Sequence, residues 1–167
     1  DWIQGKFKSI CKLKDKISDF EKEHVSIGVN SLTKTSIPDG SIDYIFTDPP
    51  FGGNLNYSEL SFMWESWLKV ITDNTEEAIM NPEQGKQLLE YQQLMTKCFT
   101  EYFRVLKPNR WMTVEFHNSK NAVWNAIQES LLRAGFVIAD VRTLDKKQSS
   151  FKQITSSAAV KQDLVIS

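Results

Sequence analysis

Thr47-Asp48-Pro49-Pro50-Phe51-Gly52-Gly53 sets a carboxylate, two imino acids, an aromatic ring and two glycines side by side. Such a set suits the holding of a flat ring that carries an exocyclic amine. The amine of adenine or cytosine is a poor nucleophile, because its lone pair is delocalised into the ring. Two acceptors aimed at its two hydrogens hold it and favour a pyramidal nitrogen as charge develops. The Asp48 carboxylate supplies one acceptor. The Pro49 carbonyl supplies the other, since proline keeps its C=O and the ring fixes its direction. Phe51 offers an apolar face to an unstacked base, a contact worth about 1–3 kcal/mol. The base must leave a duplex first, because its amine is otherwise buried in pairing. Gly52 and Gly53 let backbone approach closely. A methyl donor in line behind the amine completes a direct displacement, in which orientation supplies much of the rate.

The elements around this turn must deliver it to a ligand-binding edge. Ile42-Asp43-Tyr44-Ile45-Phe46 reads as a buried strand. Two prolines cannot donate to a sheet ladder, so the strand stops there. Asp48 then lies at a strand's C-terminal end, where open α/β sheets bind ligands. Asn54 falls in the glycine loop, and Asn56 with Glu59 resembles a capping pair. Leu60, Trp64, Trp67, Leu68 and Ile71 make one helical face. Core packing is the foremost reading for Tyr57, Trp64 and Trp67; in the other, Tyr57 lines the base pocket. Residues 72–82 read as a loop with room for a short helical turn, and 83–106 carry the most regular helical stripe. Lys107-Pro108-Asn109 stops it, and Trp111 to Phe116 is a strand. His117 and Asn118 cap the next helix, about 120–134, or contact a bound base at the same sheet edge as Asp48. Gly135 ends that helix. Strands follow at Phe136–Val141 and Asp163–Ile166, with a polar loop over 144–160 that contains Lys146, Lys147 and Lys152.

This alternation predicts an open α/β sheet with parallel crossovers and an antiparallel hairpin of the last two strands at one edge. Ahead of it, Ile3, Phe7, Ile10, Leu13, Ile17 and Phe20 predict an amphipathic helix over 1–23, a linker or docking element. A weak strand follows over His24–Val29 and turns at Asn30.

The 167 residues suffice for one sizeable core, and 41% hydrophobic with 25% charged is ordinary for a globular chain. A net charge of −1 excludes a stand-alone polycation, so nucleic-acid binding needs a local patch or a partner domain. Cys11 and Cys98 have no motif spacing and suit reduced thiols in a cytoplasmic protein. His24 and His117 offer no metal cluster, and no apolar run reaches membrane-spanning length. Asp1 at the start and a strand-like run at the end predict a piece of a longer protein.

Asp48-Pro49-Pro50-Phe51 after an apolar strand resembles the Asp/Asn/Ser-Pro-Pro-Tyr/Phe motif of the amino-group DNA methyltransferases. The run Ile45 to Gly52, followed by Tyr57-Ser58-Glu59-Leu60 and Trp64, is similar to large bacterial DNA methylases. Arg104-Val105-Leu106-Lys107-Pro108, Trp111 to Asn118 and Ala134-Gly135-Phe136 extend the likeness, which covers roughly residues 24–167. The resemblance implies a Rossmann-like sheet, S-adenosylmethionine as donor, DNA as substrate and a place in restriction-modification. It implies Asp48, Pro49, Pro50 and Phe51 as catalytic residues, with Asp48 also touching the cofactor. Asn30 stands where related enzymes carry an acidic residue that reads the donor's adenine. Phe51, Gly52, Asn54, Tyr57, His117 and Asn118 are the implied substrate contacts. Phe51 replaces the commoner Tyr, which keeps stacking and loses a phenol hydrogen bond.

The family's glycine-rich donor loop has no counterpart here, which predicts that most of the cofactor pocket lies in a preceding part of the parent protein. The strand before Asp48 then becomes an unpaired edge, and the piece by itself is expected to dimerise or to bind the cofactor weakly and to be inactive. Adenine is favoured over cytosine. The alternative is a non-catalytic methyltransferase-like module that binds nucleic acid or partner subunits in a defence assembly. RNA or a glutamine amide is a third class of substrate for related motifs.

Overall fold

The computed structural model describes residues 26, 28, 30–144 and 163–167. The helix expected over 1–23, most of the 24–29 strand and the lysine loop lie outside the described residues. The chain divides into two units, Asp1–Asn30 and Ser31–Ser167. The second unit carries the sheet.

Four strands form the sheet: β1 (Ile42–Thr47), β2 (Leu106–Phe116), β3 (Val141–Leu144) and β4 (Asp163–Ile166), in the order β1-β2-β4-β3. Three helices connect them: α1 (Tyr57–Leu68), α2 (Leu88–Val105) and α3 (Asn121–Ala134). β1 and β2 are parallel, as a helical crossover requires. β4 runs antiparallel to both β2 and β3. The expected terminal hairpin is therefore present, with β3 outermost. The open α/β sheet read from the sequence, with a parallel crossover and an antiparallel edge hairpin, is what the chain adopts.

Three boundaries differ from the expectation. The third strand begins at Val141, not Phe136; Ala139 and Asp140 instead give their N–H groups to the Ser167 carbonyl at 2.8 and 3.0 Å. The long helix starts at Leu88, after a single 3₁₀ turn over Pro82–Gln84 that the left-handed Gly85 closes. Lys107-Pro108-Asn109 does end α2, but the chain is already in β2. Ile42 pairs with Leu106 and Tyr44 with Trp111, so residues 107–110 bulge out of register. A bulge is where a strand tolerates proline. It also places Lys107 and Arg110 on the Asp43 carboxylate, at 2.7 and 3.2 Å.

The core lies between one face of the sheet and the pair α2–α3. Tyr91, Leu94, Met95 and Phe99 of α2 meet Val123, Ile127 and Leu131 of α3 over Met112, Val114 and Phe116 of β2 and Ile166 of β4. Period two explains the strands: Met112, Val114 and Phe116 point inward, while Trp111 points the other way and is 57% exposed. Tyr44 and Phe46 of β1 are exposed likewise. β1 stands at the end of the strand order, so its outer edge has no strand partner among the described residues.

Arg104, near the end of α2, pins the approach to β1. Its guanidinium bonds Glu101 at 2.6 and 2.9 Å, the Ile37 carbonyl at 2.9 Å, and Asp39. Glu101 in turn accepts the Thr35 N–H at 2.6 Å and hydroxyl at 2.8 Å. The Arg104 hydrogen bond, with those from Thr35, holds the Glu101 carboxyl down at about 2.

Candidate active site

β1 ends at Thr47, and the seven-residue turn begins there as the chemistry of proline demands. Thr47 is half-buried, its hydroxyl 3.1 Å from the Tyr102 phenol of α2. Asp48 is exposed at the C-terminal end of the strand, Pro49 is buried, and Pro50 and Phe51 are half-buried.

Three carbonyls in succession are then tied down from three different places. The Tyr91 hydroxyl, on α2, donates to the Pro50 carbonyl at 2.6 Å. The Asn118 side-chain amide, just after β2, donates to the Phe51 carbonyl at 2.9 Å. The Met80 N–H, in the loop before α2, donates to the Gly52 carbonyl at 3.2 Å. These tethers begin one residue after Pro49. Burial pushes the Tyr91 phenol above its ordinary pKa, so it stays a donor over the accessible pH range.

The ring of Phe51 stands edge-on to Phe116, 5.3 Å between centroids at 84°, and lies 6.1 Å from the His117 ring. Phe116 in turn meets Trp124 edge-on at 4.9 Å. Part of Phe51 thus belongs to the core and part reaches the surface at Asp48's edge. Gly52 is buried with φ +75°, and a Cβ there would come within 3.4 Å of both Asn118 Nδ2 and Val123. Only glycine combines that conformation with that space.

The turn runs into an exposed loop with Asn54 and then into α1. The Asn56 amide bonds Glu59 at 3.0 Å, the pair read from the sequence, but as a side-chain contact. The cap on the helix backbone comes from Glu77, whose carboxylate accepts the Ser58 N–H at 2.9 Å and its hydroxyl at 2.7 Å. Lys86, 7% exposed, holds the Glu77 loop by donating to the carbonyls of Asn74 and Glu77, both within 2.8 Å. Burial lowers the Lys86 pKa, against the pull of Glu77 and Asp73. Tyr57, at the start of α1, has a raised pKa from burial, then from the charges of Asp48 and Glu77. Its phenol therefore lies in the field of the Asp48 carboxylate.

Core packing of α1 is corrected. Trp64 is 67% exposed and Trp67 85%, and α1 has no buried residue. The apolar spacing forms a helix, but no described element lies over its face.

The predicted residues Asp48, Pro49, Pro50, Phe51, Gly52, Tyr57, His117 and Asn118 come together at one end of the sheet. Asn118 reaches the turn directly, and its carbonyl also accepts the Trp124 indole N–H at 2.8 Å. Asn30 is exposed and belongs to the N-terminal unit. Tyr91, Glu77 and Lys86 were not singled out from sequence. Tyr91 carried one faint signal, since a phenol in a helix's apolar stripe needs a partner for its hydroxyl. Among the described residues no helix is long and apolar enough to cross a membrane, and no cluster of His, Cys, Asp and Glu could hold a metal.

A family model for DNA methylases of the N6/N4 type matches residues 42–166. No curated protein matches the chain. Among solved structures the chain is similar to one assigned as a DNA modification methylase from Thermus thermophilus. The two share 12% identity, with a TM-score of 0.44, over 78% of this chain and 45% of that one. The chain thus spans less than half the length of that structure. The matched segment opens at the first residue of β1 and closes at the last of β4, so it takes in the proline turn and every strand around it. On that match, the chain belongs to the DNA methylase family.

Proposed function

We propose that this chain is the base-holding part of an S-adenosylmethionine-dependent DNA methyltransferase that acts on the exocyclic amine of a flipped base, adenine in preference to cytosine. One observation carries the reading: the turn after β1 is tied down at Pro50, Phe51 and Gly52, directly beyond the Asp48 carboxylate and the Pro49 carbonyl. Acceptors fixed before the base arrives cost no reorganisation during reaction.

Asp48 and the Pro49 carbonyl accept the two amine hydrogens and orient the nitrogen lone pair outward. Phe51 stacks on the flipped ring, and Tyr57 and His117 line its surroundings. Gly52 and Asn54 form the loop beside it. As the amine is alkylated it gains positive charge, and the Asp48 carboxylate stabilises that charge and can take the proton released.

S-adenosylmethionine supplies the methyl group in the chemistry of this family. Among the described residues β1 has no strand partner on its outer edge, the side on which the donor-binding strands would pair. The chemistry assigned to this chain is on the acceptor side, at the exposed Asp48 that ends β1.

The test is to incubate the full-length protein with unmethylated DNA and S-adenosylmethionine, digest the DNA, and identify nucleosides by mass spectrometry. N6-methyladenine is the expected product. N4-methylcytosine would keep the site and change the base. No methylated nucleoside would favour a non-catalytic, partner-binding role.

A further inference from the structure

We infer that Tyr91 and Asn118 are positioning residues, which set the angle of the Asp48–Pro49 acceptor pair by gripping the two carbonyls that follow it. The inference rests on the methyl-transfer reading of that pair and goes beyond the motif itself.

Tyr91 is fully buried, and phenylalanine would fill the same volume. A buried hydroxyl is costly unless bonded, and this one is spent on the Pro50 carbonyl at 2.6 Å. Pro49 and Pro50 both have φ fixed by their rings, so few torsions separate the gripped carbonyl from Asp48. A rotation prevented at Pro50 is therefore largely prevented at the acceptors.

Asn118 is locked from both ends. Its Oδ1 accepts the Lys120 N–H at 2.8 Å, a donor that only the oxygen can serve. The amide nitrogen must then face the Phe51 carbonyl, which it meets at 2.9 Å. Gly52 leaves no slack between them, since a Cβ there would lie 3.4 Å from that same nitrogen. Tyr91 rides on α2 and Asn118 on the segment that leads into α3, and these helices pack together in the core. The acceptor pair can reorient only if a grip is released.

The test uses Tyr91→Phe and Asn118→Asp in the full-length protein. Each is nearly isosteric and removes one donor. Steady-state methylation of unmethylated DNA should show kcat lower by roughly ten- to a hundredfold, as small misplacements of reacting groups do, while KM for DNA changes little. Amide exchange at Phe51 and Gly52 should speed up in both variants, while amides in the middle of α3 keep their rates. A merely structural role would lower stability throughout and leave kcat of the folded fraction unaltered. An unchanged kcat, or unchanged exchange in the turn, overturns the inference. If the unsubstituted protein methylates no DNA, the functional reading fails by itself. The exchange rates then still decide whether the two donors hold the turn.

Discussion

The Glu77 carboxylate accepts both the backbone N–H and the hydroxyl of Ser58, at 2.9 and 2.7 Å. This caps α1 from nineteen residues away, because Asn56 makes no side-chain cap there. With no residue of α1 buried, the cap is a principal hold on the helix that follows the proline turn. Glu77→Gln should therefore loosen α1 first. A charged cap lost to a neutral one is worth about 1 kcal/mol. Amide exchange over Tyr57–Phe62 should accelerate several-fold while exchange in α2 stays constant. Equal acceleration in both helices would contradict this.

Gly52→Ala should destabilise the unit by about 1–2 kcal/mol, the usual cost of placing a side chain at positive φ. The contacts at 3.4 Å to Asn118 and Val123 add to that cost. Urea unfolding measures it. Gly85 has a similar φ, +68°, but open space around its Cβ position, so Gly85→Ala isolates the conformational part. Equal losses at both positions would show that the Asn118 contact contributes nothing.

Acid should release the Glu101 link between α2 and the segment before β1. The carboxyl titrates at about 2 in the folded chain against an ordinary 4.5. A lowered folded-state pKa gives stability that is fully present above about pH 4.5 and is lost as pH falls toward 2. Glu101→Gln should be less stable than the parent at pH 7. The gap between their urea midpoints should narrow between pH 4.5 and 2. A gap that persists at pH 2 would mean that the charge is not what matters.

Cys98 should resist alkylation. It is buried in α2, and burial raises its thiol to about 11, so little thiolate exists at pH 8. Iodoacetamide should label it much more slowly in the folded protein than in urea. Comparable rates would show that this part of α2 opens readily.

Much of this fold was legible because the signals were local. Ile42 to Phe46 is a short apolar run that proline must end, and α3 is an amphipathic stripe closed by Gly135 at φ +105°. The parallel β1–β2 crossover and the terminal hairpin followed from the order of elements. What escaped depends on partners distant in sequence. The start of β3 is fixed by Ala139 and Asp140 bonding Ser167, which no local pattern encodes. The bulge at residues 107–110 shows only in the register against β1, where it brings two cations onto Asp43 of the neighbouring strand. At the candidate site, the turn of Asp48, Pro49, Pro50 and Phe51 stood out by type and spacing, and the structure sets it at the C-terminal end of β1. Tyr91 and Glu77 did not stand out, because a helical tyrosine and a loop glutamate acquire their meaning only from what they touch. Trp64 and Trp67 misled for the converse reason: helical spacing reports an apolar face and not what covers it.

In the proposed site the Asp48 carboxylate holds the amine that is methylated. Asp48 is exposed at the end of β1, so Asp48→Ala should leave the fold intact, which circular dichroism and the unfolding midpoint would verify. The direct measurement is the rate of tritiated methyl transfer from S-adenosylmethionine to unmethylated DNA by the full-length protein and its Asp48→Ala variant. The parent should transfer the methyl group and the variant should be slower by about a hundredfold or more, the scale set by removing one preorganised partner of transition-state charge. Transfer by the folded variant at the parent's rate would contradict this role of Asp48.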